Sequence, residues 1–150
     1  VISCSYATRT PITGRACDMS DPLACSLIHI VEDDDAVRQA LAFLIESSGA
    51  SVVAHRSAED FLAANPPVSA RENTCLLLDL HLGERNGAEL LEQLRRDRHT
   101  LPVIILTAHP QSDLAARALR AGAMRIIEKP FRSGELIGAI SDLLQPAGTS

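Results

Sequence analysis

The 150-residue chain has no tryptophan, one tyrosine and three phenylalanines. Proteins that bind single-stranded nucleic acid without sequence preference stack bases on aromatic side chains, and duplex binders neutralise phosphates with an excess of Lys and Arg. Here aromatics make up 3% of residues and the net charge is −5, so direct nucleic-acid contact is not expected. The four cysteines, Cys4, Cys17, Cys25 and Cys75, form no CxxC pair and show no metal-ligand spacing, which suits a reducing compartment. No apolar run approaches the ~20 residues needed to span a bilayer, and no signal-peptide core is visible. No membrane partner is expected, and the chain reads as cytoplasmic.

What the sequence does contain is enough apolar material, 46% of residues, for one core over one domain's length. Residues 1–26 are rich in Ser, Thr and small side chains and have no hydrophobic period. They read as a disordered extension, with Met19 before Ser-Asp-Pro in the form of a start just ahead of the first strand. The folded unit is expected over 27–145, with 146–150 a polar stub.

Leu27 to Val31 is an apolar run ending in four acids, Glu32-Asp33-Asp34-Asp35. Asp34 or Asp35 suits a helix N-cap, where the dipole favours negative charge. Glu32 and Asp33 stand at the strand's edge, and capping leaves them unexplained. A helix follows from about Ala36 to Ser48, with Val37, Leu41, Leu44 and Ile45 at helical spacing and Gly49 as its stop. Ser51 to His55 is a short second strand. Ser57-Ala-Glu-Asp60 has capping-box form before a short helix carrying Phe61 and Leu62, which Asn65-Pro66-Pro67 ends.

The stretch Thr-Cys-Leu-Leu-Leu-Asp-Leu, Thr74 to Leu80, suits a strand buried on both faces, as in a parallel sheet covered by helices. A Gly-rich turn runs from His81 to Gly87. Ala88 to Arg95 is a helix with Leu90, Leu91 and Leu94 inward, and the charged run Arg95 to His99 reads as its solvated end. Val103 to Leu106 and Met124 to Ile127 are strands; Ser112 to Ala121 and Ser133 to Leu144 are amphipathic helices. Five strands alternating with five helices predict an α/β fold, a doubly wound parallel sheet.

In that arrangement Glu32 and Asp33 follow the first strand, Asp79 the third, Thr107 the fourth and Lys129 the fifth. All five meet at the C-terminal edge, where open α/β sheets bind ligands. Three carboxylates and a backbone carbonyl, that of His81, are hard oxygen ligands suited to Mg²⁺. The central carboxylate, Asp79, is the candidate nucleophile for an aspartyl phosphate. Lys129 and the cation neutralise charge on a phosphoryl group in transfer, and the Thr107 hydroxyl donates to a phosphoryl oxygen.

These segments resemble the receiver domain of two-component response regulators. The similarity lies in Ile28 to Arg38, Leu76-Leu-Leu-Asp-Leu80 with Gly87 eight residues after Asp79, Ile105-Leu-Thr-Ala108, Ala118 to Gly122 and Ile127-Glu-Lys-Pro-Phe131. The Ser-Ala-Glu-Asp-Phe-Leu segment is similar to the nitrogen-fixation and LuxR-type regulators. The resemblance implies a flavodoxin-like five-stranded sheet of order 2-1-3-4-5. It also implies phosphorelay signalling, with Asp79 phosphorylated by a sensor histidine kinase, Glu32 and Asp33 the acidic metal pair, Thr107 the switch hydroxyl and Lys129 the partner lysine. It further implies a cis bond at Pro130 and a homodimer through the fourth helix, fifth strand and fifth helix, with Arg117 and Arg120 pairing to Glu135 or Asp142. His81 and His109, each two residues beyond a site residue, are expected to overhang the site.

Three departures stand out. Glu32 replaces the commoner Asp, Ile126 stands at the switch position where an aromatic is usual, and Gly83 replaces a Pro in the turn after Asp79. Two alternatives compete: a haloacid-dehalogenase-type phosphohydrolase, though His81 stands where its second Asp belongs, and a pseudo-receiver that binds partners without phosphorylation.

Overall fold

A run of leucines with no polar alternation has no solvent-facing side, so it must lie between two layers. The computed structural model, which describes residues 22–64, 73–83 and 85–144, places Thr74–Asp79 (β3) at the centre of a sheet. In chain order the elements are β1 (Leu27–Val31), α1 (Asp35–Ser47), β2 (Ser51–His55), α2 (Ala58–Ala63) and β3. They continue with β4 (His81–Leu82), β5 (Arg85–Asn86), α3 (Gly87–Arg96), β6 (Val103–Thr107), α4 (Asp113–Arg120), β7 (Arg125–Glu128) and α5 (Ser133–Leu144). The main sheet runs β2-β1-β3-β6-β7, every pair parallel. Counted within that sheet alone, this is the expected order 2-1-3-4-5. Most of the extension (1–21), the Asn65-Pro66-Pro67 stop and the 146–150 stub lie outside the described residues.

The two faces of β3 feed two cores. Leu76 and Leu78 join Val31, Val103 and Ile105 beneath Phe61 of α2, Leu90, Leu91 and Leu94 of α3 and Ala115 of α4. Cys75 and Leu77 join Ile28, Ile30 and Ile104 beneath Leu41 and Ile45 of α1 and Leu136 and Ile140 of α5. Each fully buried leucine contributes about 1.5–3 kcal/mol, so burial on both faces holds the strand that carries Asp79 firmly in the sheet.

Several local features differ from the sequence reading. The core reaches back to Leu23, which is buried and whose N–H bonds to the Ser48 carbonyl at 2.8 Å. The turn after β3 contains a two-stranded antiparallel hairpin, β4–β5, turned by Gly83 at φ +69°. Asp34 caps α1 as expected. Ser57 accepts from Asp60 N–H, but the reciprocal capping box is at Asn86–Glu89, which starts α3. The run after α3 is only partly solvated: Arg95 donates to the carbonyls of His99, Leu101 and Gly122, and His99 is buried.

Gly87 is where α3 presses on the end of β3. A Cβ there would lie 2.6 Å from the Asp79 carbonyl oxygen and 3.1 Å from Leu80 Cα, inside any tolerable contact, while its N–H bonds to Leu80 O at 2.8 Å. Only glycine lets the helix start this close to the strand-end carboxylate.

Candidate functional site

The sheet's twist and register bring the strand ends together. Glu32 lies one residue beyond the last β1–β2 register pair, Val31–His55, and its N–H bonds to the His55 carbonyl at 3.1 Å. That bond draws Glu32 inward until it is buried, whereas Asp33 is exposed. Asp79, the last residue of β3, is buried. Carboxylate oxygens of Glu32, Asp33 and Asp79 all lie within 4.8 Å of one another.

Lys129 follows β7, the sheet's edge strand, and reaches back across the top of the sheet. Its Nζ is 3.2 Å from Glu32 Oε1 and 3.5 Å from Asp79 Oδ1. Its N–H bonds to the Thr107 carbonyl at 2.8 Å, and the Lys129–Pro130 bond is cis, as expected. Thr107 is buried, with Oγ1 accepting the His109 N–H at 3.0 Å; Asp79 Oδ1 likewise accepts the His81 N–H at 3.1 Å. Each of these side-chain-to-backbone bonds shapes the start of its own loop, one after β3 and one after β6. The two exposed imidazoles, of His81 and His109, meet edge to face between the loops after β3 and β6, ring centroids 6.3 Å apart.

Three carboxylates share this corner with one ammonium group. Burial, then a side-chain hydrogen bond and charge repulsion from Asp79, pushes Glu32 up to about 7, against weaker opposing pulls from the Asp34 N–H and Lys129. The set therefore carries more negative charge than its surroundings settle, in the form of hard oxygen ligands with an exposed acid at the rim. That chemistry fits a divalent cation such as Mg²⁺.

Ile126 does not belong to this cluster. It is partly buried against the α2–α3–α4 core and stands opposite Ile105 in the β6–β7 ladder. The sequence reading gave Arg38 no role, yet its guanidinium donates to the Glu32 carbonyl at 2.9 Å and pairs with Asp35. A charged residue on the first turn of a helix looks like solvated surface, and only its reach back to the strand end marks it.

Comparison with known proteins adds the family. The response regulator receiver domain pattern matches residues 28–141. Transcriptional regulatory protein FixJ of Azorhizobium caulinodans is 40% identical over 113 residues, 75% of this chain and 52% of that protein. Response regulator protein TodT of Pseudomonas putida is 35% identical over 144 residues, 96% of this chain and 61% of that protein. The crystal structure of FixJ-N is similar with a TM-score of 0.69 at 36% identity, covering 81% of this chain and 97% of that one. The chain thus spans 52–61% of the length of these two full-length relatives. A pattern that enters at β1 and leaves in α5, on a fold shared with FixJ-N, gives the phosphohydrolase alternative no support: this chain belongs to the receiver domains of two-component response regulators, a phosphorelay signalling family.

Proposed function

We propose that this domain accepts a phosphoryl group on Asp79 from the phosphohistidine of a sensor kinase, in the cytoplasm, and catalyses only this transfer and its own slow dephosphorylation. The observation that carries the proposal is a buried strand-end carboxylate with an ammonium group 3.5 Å away and two more acids within 4.8 Å. Glu32, Asp33 and Asp79 with the His81 carbonyl would hold Mg²⁺, which neutralises charge on the phosphoryl oxygens. An Asp79 oxygen forms the new bond to phosphorus as the donor's P–N bond breaks. Lys129 exchanges part of its pairing with Asp79 for the incoming phosphoryl group. The Thr107 hydroxyl, which accepts from His109 N–H, still has its own proton to donate. Intact mass after incubation with Mg²⁺ and acetyl phosphate tests the proposal, and a chain that gains no phosphoryl group would count for the pseudo-receiver.

The proposed output is a dimer through α4, β7 and α5; its proposed use is transcription regulation, the one role that the name of FixJ gives to that protein. Leu119 of α4 and Met124, the residue before β7, are half or more exposed. The arginine assignment changes, because Arg117 is held within the chain by two 2.7 Å bonds to Glu92 of α3, and Asp142 lies 3.8 Å from Arg125. Arg120 and Glu135 are therefore the proposed pair across the two-fold axis. With Ile126 in place of a ring, the shift on activation is expected to be partial. Sedimentation with beryllofluoride should show a mixture of monomer and dimer, and a wholly monomeric activated form would refute the dimer.

The His81–His109 contact also sets an expectation for phosphoryl lifetime. Two imidazoles meeting above adjacent strand ends narrow the approach of water, so His81→Ala and His109→Ala should each shorten the phosphorylated half-life severalfold. Decay at two pH values decides: unchanged rates make the pair a bystander, and slower decay makes an imidazole the base that helps water.

A further inference from the structure

We infer that Arg38 is a positioning residue for the divalent-cation site, acting through the backbone of Glu32. The inference rests on the reading above that Glu32, Asp33 and Asp79 hold Mg²⁺. Glu32 is tied at each end of its peptide and at both carboxylate oxygens. Its N–H bonds to His55 O at 3.1 Å, its carbonyl accepts Arg38 Nη1 at 2.9 Å, Oε2 accepts the Asp34 N–H at 3.2 Å, and Oε1 meets Lys129 at 3.2 Å. Three of these ties come from the sheet, from the loop's own backbone and from the far strand. Only the Arg38 bond comes from α1, and it joins the first helical turn to the strand end across the two acids.

The side chain is built for that task. Arg38 is 13% exposed although its ion-pair partner Asp35 is 73% exposed, so its stem is packed and its guanidinium fork is shared between a carbonyl and a carboxylate. Its own N–H bonds to the Asp34 carbonyl at 2.9 Å, which sets the arginine at the start of α1 facing back over the loop. The peptide it grips is the one joining Glu32 to Asp33. Its orientation decides where both carboxylates point, one inward to Asp79 and one to the rim.

Charge and positioning predict opposite signs. Arg38 is a cation near a cation site, and it also neutralises Asp35. On charge alone, removing it makes the surroundings more negative and tightens Mg²⁺. If its role is to hold the Glu32–Asp33 peptide, removing it loosens Mg²⁺, as losses of outer-shell partners do by about 10–100-fold.

The test is an NMR titration of backbone amides with Mg²⁺, without phosphodonor, on the whole chain and its variants. Arg38→Met is expected to raise the Mg²⁺ dissociation constant about tenfold. Arg38→Lys, which keeps the charge but lacks the fork, should raise it less and serves if the Met variant does not fold. Asp35→Asn cuts the ion pair but spares the carbonyl bond and should change it less than about twofold. Phosphorylation by acetyl phosphate should then need more Mg²⁺ for half-saturation but reach a near wild-type rate at saturation, a split that partial unfolding does not produce. Binding by either Arg38 variant as tight as wild type, or tighter, overturns the inference while leaving the proposed function standing. A wild-type chain that takes up no Mg²⁺ overturns both.

Discussion

Incubated with Mg²⁺ and acetyl phosphate, the wild-type chain is expected to gain one base-labile phosphoryl group, and Asp79→Asn none. Asparagine preserves the shape of the site, since its amide oxygen can still accept the His81 N–H that Asp79 Oδ1 accepts at 3.1 Å. What it removes is the anionic oxygen proposed to attack phosphorus, together with one of the three carboxylates within 4.8 Å. An amide is so poor a nucleophile that labelling should fall below detection rather than slow by a measurable factor. Asp33→Asn separates the two losses, because Asp33 lies on the exposed rim and is proposed as a metal ligand without being the nucleophile. That variant should still be labelled, at higher Mg²⁺. Undiminished labelling of Asp79→Asn would move the nucleophile to another residue and remove the site assignment with it.

The reason Asp79 could be singled out from sequence is that a carboxylate closing an unbroken apolar run has few places to go. It must stand where the strand leaves the core, and the strand order then fixes which other strand ends surround it. Lys129 is the clearest case, 97 residues from Glu32 along the chain yet 3.2 Å away in the fold. Features without a period were not legible. Leu23 is the one large apolar side chain between Met19 and Leu27, and the two-residue strands of the β4–β5 hairpin are too short to alternate. Charged residues misled in a different way. Arg95 and Arg38 look like solvated surface in sequence and Arg117 like a dimer contact, but a guanidinium fork can satisfy backbone carbonyls or a carboxylate from another helix. Geometry across elements, not residue type, decides which arginines do so.

Acid should weaken the fold through two histidines whose rings take no part in the proposed phosphoryl chemistry. His29 on β1 and His55 on β2 point from the same face of the sheet, stack with centroids 5.8 Å apart, and both meet the ring of Phe61 edge-on at 5.7 and 5.2 Å. Both are buried, and among the described residues neither ring nitrogen of His55 has a hydrogen-bond partner. Burial, and for His29 then the charge of His55, holds each at about 4 against an ordinary 6.5; for His55 the nearby Asp60 pulls more weakly the other way. The neutral imidazole is therefore the form the fold accepts. Above about 6.5 both states are neutral and nothing is lost, but as pH falls from 6.5 toward 4 the unfolded chain takes up protons that the folded chain refuses, and stability drains away. Glu32, raised to about 7, has the opposite sign: the fold holds its proton more tightly than the unfolded chain does, so acid favours the fold through that residue. A comparison that keeps Glu32 constant isolates the histidines. Between pH 7 and pH 5 the wild-type chain should lose about 2–4 kcal/mol relative to a His29→Leu/His55→Leu double variant, a relative fall in Tm of roughly 10 °C for a domain of this size. Thermal unfolding of the two chains at both pH values measures it. A stability difference that does not change with pH would mean that the imidazoles are solvated or protonated in the fold, and the buried neutral pair would have to be abandoned.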